Sequence, residues 1–282
     1  MSEVEIIMIE DEAALAIMAA AFEKQKVRHL ALDFEAEANQ FRYGVHLCLV
    51  QIFDGSACYI IDPLKINDLA ILKRLLQSHN IEKVFFSADF DVRLIKHTLG
   101  IAMVNLFDLQ VAAKILEFEK TSLEYLGKFV LEREIATDKT LQRSNWNLRP
   151  LSERQIEYAA GDVLHLLDLA IEIKRMLAQK SVMRQCHEKN LALASLEMKE
   201  PGLSNTILRR TQHFTTRQND YLKKLYDIRE QVASEIDVPP YRVFSNDLLI
   251  QLCKEPPETV EQWSRLKALP RRTLKYIDRF II

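Results

Sequence analysis

A chain of 282 residues, 48% hydrophobic and 28% charged, is long enough for two globular domains and has the apolar content to fill their cores. No stretch reaches the roughly 20 apolar residues that span a bilayer, and the acidic start MSEVEIIMIEDEAAL lacks the basic region of a signal peptide, so a cytoplasmic location is expected. The net charge of −2 is unevenly laid out: residues 210–282 carry 13 Lys and Arg against 10 Asp and Glu, and the rest carry 25 against 30. Cys48, Cys58, Cys186 and Cys253 show neither CxxC spacing nor histidines at zinc-finger spacing. They read as free, mostly buried thiols, which leaves any metal to oxygen ligands.

In chain order, residues 11–26 are Ala-rich with charges at both ends, a helix. Three strand-like runs follow, at 29–35, 45–52 and 57–61, the last two joined by Asp54-Gly55-Ser56 as in a hairpin. Residues 69–77 read as a helix, 83–86 as a short strand, 91–99 as a helix ending at Gly100, and 105–135 as helical. From Ser152 to about Gln179 runs the best-marked helix, opened by a Ser152/Gln155 capping box and carrying an apolar stripe from Ile156 to Leu177. Strands first, then alternation with helices, predict a mixed sheet flanked by helices. A domain break is expected between 180 and 209, a stretch that is mixed and helical in tendency until Pro201-Gly202 and then turns polar at Ser204-Asn205. Beyond it, short helical patterns broken by prolines predict a small bundle of four or five helices.

Three sets of residues stand apart from this scaffold. Asp33 and Glu35, two apart on a strand, share a face, where a divalent cation relieves their repulsion. Taken alone, D-x-E is also what any solvent-facing strand carries. Asp91 opens a helix after the apolar run KVFF and competes with Asp89 for the role of helix cap. Tyr158 and Asp162, four apart on one helix, can act together on one ligand, with His165 close to the same face. Four acids and a tyrosine suit phosphodiester hydrolysis, in which two Mg²⁺ ions activate water and stabilise the leaving oxygen, and the tyrosine orients the water. No Gly-rich nucleotide loop is present.

These residues resemble the DEDD exonuclease superfamily in its tyrosine-containing branch, and specifically the ribonuclease D family. Asp33-Phe34-Glu35 is similar to its first motif, Asp91 in KVFFSADFDVRLI to its second, and Tyr158-Ala159-Ala160-Gly161-Asp162 to its third. The run SNWNLRPLSERQIEYAAGDVLHLLDL (144–169) resembles the family's approach to that third motif. The segments LYDIREQVASEIDVPPYRVFSNDLLIQLCKEPPET and LKALPRRTLKYIDRF resemble the HRDC domain (helicase and RNase D C-terminal). Three departures are visible: Phe86 and Ser87 stand where the family commonly has a polar residue, Gly161 stands where Ala is usual, and one HRDC-like domain is present where the best-known members have two.

The resemblance implies an α/β, ribonuclease H-like exonuclease domain at 1–178, a linker at 179–209, and a small all-α nucleic-acid-binding domain at 210–282. It implies a 3′→5′ exoribonuclease that trims tRNA precursors or other structured RNAs to nucleoside 5′-monophosphates. Asp33, Glu35, Asp91 and Asp162 would hold two divalent cations, Mg²⁺ or Mn²⁺, with Asp33 bridging and Tyr158 positioning the water. Candidate substrate contacts are Phe90 and Trp146 for base stacking, Lys139 and Arg149 for phosphate, and Arg271 and Arg272 on the helical domain, with Lys275 and Arg279 on the same basic face. A monomer acting on RNA is expected. DNA as substrate and a catalytically silent RNA-binding adaptor are the competing readings.

Overall fold

In the computed structural model, which describes residues 4–136, 138–198 and 202–282, the chain forms two units. The first takes the chain up to Ala36 and His46–Met198, and the second takes Glu37–Val45 and the residues from 202 onward. Pro201, expected at the domain break, lies outside the described residues.

The elements run β1 (Glu5–Ile9), α1 (Glu12–Gln25), β2 (His29–Ala38), β3 (Val45–Phe53), β4 (Ala57–Ile61), α2 (Ala70–Leu76), β5 (Glu82–Phe85), α3 (Asp89–Leu99) and β6 (Leu106–Asp108). After them come α4 (Leu109–Ile115), α5 (Leu123–Val130), α6 (Lys139–Gln142), α7 (Glu153–Leu164), α8 (Leu166–Gln179) and α9 (Met183–Ala194). The strands form one mixed sheet in the order β1-β4-β3-β2-β5-β6. β1 pairs parallel with β4, β3 antiparallel with β4, and β2, β5 and β6 are parallel in succession. This mixed sheet with helices is the architecture expected. The central strands β2, β3 and β5 have near-continuous buried runs, as strands covered on both faces should.

Local chemistry explains several boundaries. Asp11 caps α1, accepting from the Ala14 N–H at 2.7 Å, and Lys26 ends it in the left-handed region. Asp54 accepts from the N–H groups of Ser56 and Ala57 while Gly55 takes φ +96°, which closes the expected hairpin. The Ser152/Gln155 capping box forms with both of its hydrogen bonds.

Four differences from the sequence reading have physical causes. β1 and β6 escape periodicity: β1 lies inside an acidic start, and β6 is three residues long and runs straight into α4. The long helix expected over 152–179 is broken at His165 into α7 and α8, a break that periodicity cannot reveal because the apolar stripe continues across it. The segment 179–209 is not a plain linker. Its first half forms α9, which buries Cys186 and Asn190, and its second half contributes α10 (Asn205–Arg210) to the second unit. Asp89 does not cap α3, whose preceding residue Ala88 has no side-chain cap; Asp89 instead pairs with Arg93 one turn on.

The second unit is helical throughout its C-terminal stretch: α10, α11 (Thr216–Glu235), α12 (Pro240–Val243), α13 (Asn246–Lys254), α14 (Val260–Ser264) and a 3₁₀ helix over Arg271–Phe280. Its core gathers Leu225, Val232, Phe244, Leu249, Trp263 and Phe280, with the last two rings stacked at 5.4 Å. All four cysteines are buried thiols, none of them in a disulfide. No helix among the described residues is long and apolar enough to cross a membrane.

Candidate active site

Asp33 and Glu35 project from one face of β2, as period-2 geometry requires, while Phe34 between them is buried against Phe85. Helix α7 brings Asp162 to the same place. One carboxylate oxygen from each of Asp33, Glu35 and Asp162 can be chosen so that all three lie within 4.8 Å of one another. Asp91, in the first turn of α3, lines the same cleft, of about 570 Å³, together with Tyr158, Phe90 and Lys139.

These acids are short of counter-charge. Burial, compounded by the charges of Asp33, Asp162 and Asp91, pushes Glu35 up to about 10. Burial raises Asp33 to about 6. Burial and then Asp33 raise Asp162 to about 8, and the same two causes hold Asp91 well above the carboxylate range. The Tyr158 phenol also rises, through burial and then the nearby charges of Asp162 and Glu35, and it hydrogen-bonds Asp162. Carboxylates crowded this closely, with no cation among their partners in the described residues, are the donor set of a hard divalent ion. Without one, protons must neutralise them. The donors present therefore fit the metal that the sequence implies.

Of the expected substrate contacts, Phe90 and Lys139 line the cleft, and Phe90 is 41% exposed. Trp146 and Arg149 do not serve as expected. Trp146 is 2% exposed, its ring 6.1 Å from that of Tyr158, so no base can stack on it; it backs the tyrosine instead. Arg149 makes a two-pronged ion pair with the buried Asp62 at 2.5 and 2.8 Å, and donates to the carbonyls of Trp146, Leu148 and Cys48. Its donors are committed to the fold and not to phosphate. Arg271 and Arg272 are exposed on the second unit's 3₁₀ helix, whereas Arg279 of the same element is paired with Glu235.

Sequence reading missed Gln110, Ser122, Glu124, Asp138 and Gln142, which also line the cleft. They come from α4, α5 and the α6 region, and no shared spacing links them. Ser122 and Asp138 left local signals as the N-caps of α5 and α6, and so did Asp108, which does not line the cleft itself. It follows an apolar pair and caps α4, accepting from the Gln110 and Val111 N–H groups at 2.7 and 3.0 Å.

Residues 6–178 match the 3′-5′ exonuclease family, and residues 218–281 match the HRDC domain. The chain is 29% identical over 269 residues to ribonuclease D of Shewanella sp., covering 93% of this chain and 67% of that protein. It is 26% identical over 271 residues to the exosome complex component 10 homolog of Drosophila melanogaster, covering 93% of this chain but only 30% of the relative. Among solved structures, the catalytic core of RRP6 from Trypanosoma brucei superposes with a TM-score of 0.85 at 20% identity, covering 99% of this chain and 78% of that one. Escherichia coli RNase D superposes with a TM-score of 0.79 at 24% identity, covering 99% and 74%.

Proposed function

The chain belongs to the 3′-5′ exonuclease family, and we propose that it is an exoribonuclease that removes nucleotides one at a time from RNA 3′ ends as nucleoside 5′-monophosphates. The observation that carries this reading is the convergence of the Asp33, Glu35 and Asp162 carboxylates, with Asp91 beside them, in one cleft. RNA is favoured because the relatives are named as a ribonuclease and as exosome components. The substrates proposed are tRNA precursors and other structured RNAs, acted on by a monomer in the cytoplasm, with the HRDC-like unit adding RNA contact through Arg271 and Arg272.

In this reading Asp33, Glu35, Asp91 and Asp162 hold two divalent cations, Mg²⁺ or Mn²⁺. Two such ions stabilise the attacking and leaving oxygens of an in-line displacement. The protein's own residues do the rest. The Tyr158 hydroxyl, kept protonated by its raised pKa, stays a hydrogen-bond donor and acceptor that can orient water. Trp146 packs behind Tyr158 and fixes its ring. Phe90 offers an exposed aromatic face at the cleft for the terminal base, and Lys139 a cation for phosphate.

The test is a 5′-labelled single-stranded RNA incubated with purified protein and Mg²⁺ or Mn²⁺, beside DNA of the same sequence. A descending RNA ladder that requires metal and disappears with Asp33→Asn supports the proposal. Tyr158→Phe should slow the ladder by ~100-fold, the scale of a mispositioned reactant. Faster shortening of DNA would move the assignment to a DNA exonuclease. RNA binding without shortening of either polymer would leave an adaptor in its place.

A further inference from the structure

Asp91 reaches the cleft from a helix whose start is not held by its own sequence. Ala88, at the N-cap position of α3, has no side chain to satisfy the first N–H groups, and the residue before it, Ser87, sits at φ +64°. A non-glycine residue in that region is held there by its surroundings. Here the surroundings are Asp108. This side chain, 2% exposed, accepts the Ala88 N–H on Oδ2 at 2.6 Å, and its other oxygen caps α4. Asp108 is itself held from a distance in the chain. Its own N–H donates at 3.1 Å to Oδ1 of Asn190, a buried side chain of α9 that also contacts the Cys186 sulfur.

We infer that Asp108 and Asn190 are positioning residues: Asn190 latches the β6–α4 junction so that Asp108 holds the Ser87-Ala88 turn and aims Asp91 into the cleft. Helix α9 lies beyond the stretch 6–178 that matches the exonuclease family, so this makes it an integral part of the catalytic unit. The inference rests on the proposed role of Asp91 as a metal ligand. The geometry argues for orientation as well as stability. Asp108 Oδ2 meets the Ala88 N–H of the segment that launches Asp91, and Asn190 Oδ1 meets the N–H of Asp108 in turn. A carboxylate bonded to backbone N–H groups makes stronger, more directional hydrogen bonds than a neutral acceptor. Residues that orient ligands in this way typically cost ~10- to 100-fold in metal affinity or activity when lost.

The experiment measures Mn²⁺ affinity of the full chain from the electron paramagnetic resonance signal of free Mn²⁺, and kcat and KM on the labelled RNA. Asn190→Leu keeps volume and burial but removes the acceptor; Asp108→Asn keeps shape but loses the charge. Leu15→Ala opens a cavity in α1 of the same unit and serves as a control for lost stability alone. Asn190→Leu should weaken Mn²⁺ binding ~10-fold and Asp108→Asn by up to ~100-fold. Both should lower kcat at fixed Mn²⁺ with KM for RNA unchanged, and excess Mn²⁺ should restore Asn190→Leu but not Asp91→Asn. Leu15→Ala should leave Mn²⁺ affinity at the wild-type value. If Asn190→Leu binds Mn²⁺ like wild type, or Leu15→Ala loses as much affinity, the latch is overturned while the proposed function stands. If wild type neither binds Mn²⁺ nor shortens RNA, the function fails and the latch falls with it.

Discussion

Replacing Arg149 by Met separates two roles that an arginine near an active site can have. Asp62 is 1% exposed and takes two hydrogen bonds from the guanidinium, and its Oδ1 also accepts the Leu64 N–H. Met fills the aliphatic space but leaves that carboxylate without its counter-charge, and the carbonyls of Trp146, Leu148 and Cys48 lose a donor. Removing one partner of a buried pair typically costs about 3–5 kcal/mol, a large fraction of the roughly 5–15 kcal/mol that holds an ordinary domain folded. The double replacement Asp62→Leu with Arg149→Met should cost markedly less than Arg149→Met alone, since no charge is then stranded. Urea unfolding followed by the fluorescence of Trp146, in a Trp263→Phe background so that the second unit is silent, measures the loss. A phosphate contact predicts the opposite pattern: unchanged unfolding, weaker RNA binding by anisotropy, and a salt slope reduced by ~1. That outcome would refute the anchoring argument.

Further expectations follow from the same site. The raised carboxylates make metal-free protein bind protons that the unfolded chain releases, so its stability should fall as pH rises from the ordinary carboxylate range through about 6 for Asp33 and about 8 for Asp162. Melting temperatures in chelator at pH 5 and pH 8 should show that drop, and Mn²⁺ should abolish it; a flat profile in chelator contradicts the crowding argument. Gly161→Ala should stabilise by about 0.5–1 kcal/mol in urea unfolding, because helix interiors favour Ala and the added Cβ meets nothing within 4 Å. Gly127→Ala should destabilise by about 1–3 kcal/mol, since its Cβ would lie 2.5 Å from Ile135 Cγ1 and 3.2 Å from the Arg133 carbonyl. Trp146→Ala should lower kcat through a loosened Tyr158 without changing KM for RNA; a raised KM with unchanged kcat would return Trp146 to the substrate side.

What could be read in advance divides along the range of the interaction. Asp33 and Glu35 lie on one strand and Tyr158 and Asp162 on one helix, so the backbone periods of 2 and 3.6 already place each pair on one face. The hairpin at Asp54-Gly55-Ser56 and the capping box at Ser152 are equally local, and their hydrogen bonds form as the residue types demand. That the two pairs converge is a long-range fact, carried in the sequence only by resemblance to a family. Arg149 and Trp146 show why proximity in the chain misleads. Both sit close to the third motif, yet their partners, Asp62 and the Tyr158 ring, are set by packing that no spacing records. Asn190 is the extreme case. It lies 82 positions from Asp108, on a helix with a weak apolar pattern in a mixed, helix-leaning segment expected to link the two domains. A polar residue in such a segment reads as solvent-facing until the fold buries it, and once buried it must find a partner. The partner it finds is the backbone N–H of Asp108, the very residue whose side chain holds the turn before Asp91.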